Sequence, residues 1–162
     1  MKLLNALTNN LPDYGLLPLG LLGLFLLGCA SEPPAQAPLV PDDPEPALFV
    51  VLTEDDNMTQ GMAMVLANQA LDQGARVRVL LCGPGAELGL AGRDGELLLP
   101  REVTPGQLLT RLIQNEVVVE VCAIFLPNTD WDEGDLREGV GVAQPAEAAA
   151  HMMAPGVRLF TF

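Results

Sequence analysis

"ALFVVLTEDDNMTQGMAMVLANQALDQGARVRVLLC", residues 47–82, holds a complete strand, helix and strand. Residues 47–54 are a continuous apolar run that ends in polar side chains, the pattern of a strand covered on both faces. Asp56 or Asn57 stands where a helix needs a cap. Met58, Met62, Val65, Leu66 and Leu71 follow at broadly helical spacing as the expected buried stripe, and Gly74 stops the helix. Residues 75–82 then supply a second apolar strand. Two such strands joined through a helix are expected to run parallel, because the crossover returns the chain to the end where it began.

Downstream the alternation continues. "GPGAELGLAGRDGELLLP", residues 83–100, is a Gly-rich excursion with no helical period. Thr104 is placed to cap a helix through "PGQLLTRLIQNE", with Pro105 at the first helical position, where its missing N–H costs nothing. "VVVEVCAIFLP" (117–127) reads as a third strand and "DWDEGDLREGV" (130–140) as a short helical turn. "PAEAAAHMMA" (145–154) reads as a last helix and "VRLFTF" (157–162) as a closing strand. The expected class is α/β: a three-layer α/β/α domain over residues 47–162, with a mostly parallel sheet in a flavodoxin-like strand arrangement.

The segment before this domain reads as an address. Lys2 precedes an apolar stretch whose core, residues 16–28, is about thirteen residues long, short of the roughly twenty that span a bilayer. It ends in Leu26-Leu27-Gly28-Cys29, which resembles a bacterial lipobox, with a small residue at the cleaved bond and a thiol to carry the lipid. Residues 1–28 are thus expected to be a lipoprotein signal peptide, and residues 29–46, rich in Pro, Ala and acidic groups, a tether. The expected location is the bacterial cell envelope, facing the periplasm, with a membrane anchor through lipid on Cys29. The lack of Asp directly after Cys29 resembles lipoproteins sorted to the outer membrane.

The whole chain has 162 residues and a net charge of −13, from 21 acidic and 8 basic side chains. A surface of that sign repels phosphate backbones, so no nucleic-acid partner is expected. "CGPGAELG" lacks the dinucleotide and phosphate-loop patterns, and the acidic loop lacks the spacing of a calcium loop, so neither a cofactor nor a metal is implied.

In the order of its signals the domain resembles the DsrE/DsrF-like family. The resemblance rests on "FVVLTEDD" before an Ala-rich helix, on "LDQGARVRVLL", on "LLTRLIQNEVVVEVCAIFLPN", and on "LREGVGVAQPAEAAAHMM" with "GVRLFTF". It implies a three-layer α/β/α fold, a homo-oligomer (trimer or hexamer), and a persulfide-carrying cysteine at the position of Cys122. The continuation "AIFLPNTDWDEG" departs from the Cys- or Arg-Gly-containing stretch common in that family.

With Cys29 lipidated, Cys82 and Cys122 remain. Were the first strand to lie between theirs, the sulfurs would stand about 9–10 Å apart, too far for a disulfide. Glu54, Asp55 and Asp56 are expected to end the strand beside Cys122, and Asn128, Asp130 and Asp132 to lie on its own loop. The carboxylates among them oppose a thiolate. Two readings stand at this point. In one, Cys122 is a catalytic sulfur carrier that meets a sulfur donor or a protein partner. In the other, Cys122 is core, and the acidic set Glu54, Asp55, Asp56, Asn128, Asp130 and Asp132 serves a non-catalytic binding or assembly module. His151, the sole histidine, reads as a packed or surface position on the last helix. The methionines of the first helix read as core filler.

Overall fold

The protein is described by a computed structural model covering residues 45–162. The segment expected to be a signal peptide, the expected lipidation position Cys29 and most of the expected tether lie outside the described residues. The elements are β1 (Ala47–Leu52), α1 (Asn57–Asp72), β2 (Arg76–Leu81), α2 (Pro105–Gln114), β3 (Val118–Val121), β4 (Val140–Val142), α3 (Pro145–Met152) and β5 (Val157–Thr161). Short 3-10 turns occupy Gly83–Gly89, Leu126–Asn128 and Glu133–Asp135.

All five strands are parallel, in the order β4-β3-β2-β1-β5. The chain steps from β1 to β4 in one direction, so right-handed crossovers place α1 and α2 on the same face. The return from β4 to β5 crosses the sheet the other way and carries α3 to the opposite face. Under α1 and α2 lie Val50, Leu52, Val79, Leu81, Val119 and Val121, while Phe49, Leu80 and Ala143 form a smaller cluster with Met152 of α3. The three layers expected from the alternation are present.

Local chemistry explains the helix starts. Asp56 caps α1, accepting from the Thr59 N–H and hydroxyl, each at 2.8 Å. Thr104 caps α2 in a reciprocal box: its hydroxyl accepts from the Gln107 N–H at 3.1 Å, and the Gln107 side chain accepts from the Thr104 N–H at 3.0 Å. Between the two helices, buried Asn68 donates to the carbonyls of Met64 and Leu108 and accepts from Arg111, which also pairs with Asp72 at 2.7 Å.

Four expectations need correction. The first strand does not separate the two cysteine strands, because β2 and β3 are hydrogen-bonded neighbours with Leu81 opposite Val121. The third strand stops at Val121 rather than running to Pro127, since the Cys122 carbonyl accepts from the Phe125 N–H and turns the chain. β4 was not anticipated; three residues with a central glycine carry little strand signal. Met58, Met62, Val65 and Leu66 are exposed, and the buried stripe of α1 is Gln60, Gly61, Ala63, Met64, Ala67 and Asn68. Ala63, Met64 and Ala67 seat in the core between the helix and the sheet, while Gly61 lies under the Leu98 side chain of the loop before α2, which a Cβ would meet.

Candidate functional site

The residues that bracket Cys122 come from the ends of two adjacent strands. Cys82 follows β2 and Cys122 follows β3, each one step beyond the paired residues Leu81 and Val121. Their amides are fixed by the sheet: the Cys122 N–H donates to Leu81 O at 2.8 Å, and the Cys82 N–H donates to Leu52 O at 2.8 Å. Alternation along each strand sends both side chains to the α3 face, where they pack with Phe49, Leu80, Val51 and Met152. Both are half-buried free thiols.

After Cys82 the chain turns at Gly83, whose φ of +52° is one that L side chains rarely adopt, and enters the 3-10 turn with Pro84 in its second position. Gly85 then passes so close to β1 that a Cβ would stand 2.8 Å from the Leu52 carbonyl oxygen. That approach holds the turn over the sheet end. Opposite it, residues 122–129 fold back, and Asn128 donates to the Ile124 carbonyl at 2.7 Å. Between the two segments lies an open cleft of about 460 Å³ lined by Gly83, Pro84, Glu87, Cys122, Ile124, Phe125, Asn128 and Thr129. Ile124 is 71% exposed at its rim.

The thiols interact. Burial first, then a hydrogen bond to Cys122, then the charge of Cys122 push the Cys82 thiol up to about 12. Cys82 therefore keeps its proton at neutral pH. Below them on the same face, Arg78 grips Glu120 through Nε at 3.0 Å and Nη2 at 2.6 Å, both side chains only 14% exposed. His151 leans on Phe49 with ring centroids 5.3 Å apart. Burial, followed by the charges of Arg78 and Arg76, lowers its pKa, and Glu120 opposes them.

The acidic set is dispersed. Glu54, Asp55 and Asp56 follow β1, which β2 separates from β3, so they do not end the strand beside Cys122. The Asp56 carboxylate is committed to its cap. Asp132 caps the turn Glu133–Asp135, accepting from the Gly134 N–H at 2.7 Å. Asp130 is exposed and does not line the cleft. Of the proposed binding residues only Asn128 borders it. The carboxylate that does border it is Glu87, answered by Arg93 at 3.6 Å, and the Arg93 guanidinium lies 5.6 Å from the Trp131 ring centroid. Among the described residues, no group of three or more His, Cys, Asp or Glu is placed to hold a metal ion.

The usual ligand crevice of an open α/β sheet lies where the strand order reverses, here between β1 and β5. That position is filled. The Thr53 N–H and hydroxyl both donate to the Phe162 carbonyl, at 2.6 and 2.7 Å, and the Gly85 N–H donates to Thr53 O. The accessible chemistry has moved two strands along, to Cys122. The sequence reading missed Cys82 as its neighbour and missed Glu87 and Pro84 as the facing wall. A usable signal was present: "VLLC" and "VEVC" each end an apolar strand in cysteine, so adjacent strands in register bring the two thiols side by side.

No protein-family model matches the chain, and no curated protein matches its sequence. Two solved structures share its fold. The ychN protein from E. coli is 18% identical over 73% of this chain and 99% of its own, with a TM-score of 0.55. A protein of unknown function from Methanobacterium thermoautotrophicum is 17% identical over 73% and 99%, with a TM-score of 0.53. Both share the parallel α/β/α fold of the domain described above.

Proposed function

We propose that this is a membrane-anchored envelope lipoprotein of the DsrE/DsrF-like family that carries sulfur on Cys122. The observation that supports it is the placing of that thiol, at the carboxyl end of a central parallel strand and in the wall of an open cleft. In the transfer step the Cys122 thiolate attacks the outer sulfur of a donor persulfide R–S–SH. The donor S–S bond breaks, RS⁻ leaves with the bonding pair and takes a proton, and Cys122 is left as the persulfide. Delivery to an acceptor thiol is the same exchange in reverse. The exposed Ile124 and Pro84 offer an apolar rim against which a donor or acceptor protein can rest.

The test is turnover of labelled sulfane sulfur by the full-length protein. Cys122→Ser is expected to reduce both uptake and turnover to the rate of the donor alone, whereas uptake at the wild-type rate in that variant would sink the proposal. The anchor is the lipid on Cys29, expected from the lipobox resemblance. The domain further assembles with itself, a second copy covering the apolar strip of Met58, Met62, Val65 and Leu66, whose exposure is unusual for an unpartnered helix.

A further inference from the structure

We propose that Cys82 is a resolving thiol for Cys122, so that a persulfide formed on Cys122 is discharged as sulfide while the two cysteines close a cross-strand disulfide. This rests on the sulfur-carrier reading of Cys122 and adds a reductive half to it. Neighbouring parallel strands stand about 4.8 Å apart, and a disulfide spans Cα separations of about 4.4–6.8 Å. The two residues occupy that relation: they are the next step of a register that pairs Leu81 with Val121, and both side chains pack on the same face.

The division of labour follows from access. Cys122 lines the cleft, while Cys82, the residue before the turn that begins at Gly83, does not. A sulfur donor therefore meets Cys122 first. In the resolving step the Cys82 sulfur attacks the Sγ of Cys122, the bond between that Sγ and the outer sulfur breaks, and the outer sulfur leaves with the electron pair and the Cys82 proton. The persulfide of Cys122 and the thiol of Cys82 thus give one disulfide between the two residues and one molecule of hydrogen sulfide. The sulfane sulfur is reduced to sulfide and the two cysteines are oxidised, and two equivalents of an external thiol restore the dithiol.

The experiment uses the reduced full-length chain, cysteine persulfide as donor, an alkylating quench, and peptide mapping. Cleavage after Arg78, Arg93, Arg111 and Arg137 leaves Cys82, Cys122 and Cys29 on separate peptides. The wild type should release one sulfide per chain and yield linked peptides containing Cys82 and Cys122. Cys82→Ser should instead accumulate Cys122 one sulfur heavier, with sulfide release falling to the donor blank. Sulfide release from Cys82→Ser at the wild-type rate would overturn the resolving role and leave sulfur carriage standing. If Cys122 takes up no sulfur in either protein, the carrier reading fails, and the pair is then judged by incubation with oxidised glutathione. Linked Cys82 and Cys122 peptides there support a redox pair, and two separate glutathione adducts overturn it.

Discussion

Arg78 and Glu120 form a two-point ion pair on the α3 face with little access to water, and His151 packs above the same face. Glu120→Gln leaves a guanidinium without its counter-charge and is expected to cost about 3 kcal/mol in urea unfolding, as broken buried pairs do. The same group governs the pH dependence. Burial and the nearby arginines hold the folded His151 below its ordinary value, so an unfolded imidazole, which titrates near 6.5, binds a proton that the folded one refuses. Stability is therefore complete above that pH and falls as the pH drops from about 6.5 toward the lower folded value. Glu120→Gln removes the charge that opposes the depression and should extend the loss to still lower pH. Imidazole titration by NMR checks this, and a folded His151 that titrates at or above its unfolded value would contradict it. At this scale the sequence was legible for Asp56 and Thr104, whose capping roles follow from local spacing. It was silent on Arg78 with Glu120 and on Cys82 with Cys122, because each pair joins different strands, and only the strand order brings them together.

Helix α2 illustrates an element written almost wholly into its own residues. Thr104, Pro105 and Gln107 set its start without help from the rest of the fold, and Thr104→Ala should cost about 1 kcal/mol, read from thermal or urea unfolding. Helix α1 is the opposite case. Its apolar residues go most of the way round, so hydrophobic spacing alone pointed to Met58 and Met62, while the face that seats on the sheet is the one with Ala63, Met64 and Ala67. Closeness of approach decided the packing side, and that is a property of two elements rather than one. Met62→Glu puts a charge in the strip assigned to self-assembly. It should shift the protein toward monomer in sedimentation with little change in unfolding midpoint, because Met62 is already 54% exposed. An unchanged oligomeric state would remove α1 as the contact. β3 was read too long for a related reason: "VVVEVCAIFLP" is apolar throughout, and the turn that ends the strand at Cys122 is made by backbone bonds that leave no mark on hydropathy.

For the molecule as a whole, the parallel α/β/α architecture was legible because each strand and each crossover helix except β4 has its own signal. The strand order was not, since it depends on which edge the returning chain chooses. Anchoring is the property of the whole chain most open to direct test. Cys29→Ala is expected to release the protein from membranes and abolish fatty-acid labelling, and membrane retention unchanged by that substitution would refute the lipid anchor. The seam between β1 and β5 bears on a different matter, the order of events during synthesis. Thr53 and Phe162 lie 109 residues apart in the chain yet meet directly. β1 is among the first parts of the domain to be made, and one of its two edges stays unpaired until almost the entire domain has followed. Joining ends so distant in sequence is entropically slow. A nascent or translocating chain thus carries an open, apolar strand edge for most of its passage, and a chaperone that shields extended apolar segments would act there before the fold can protect itself.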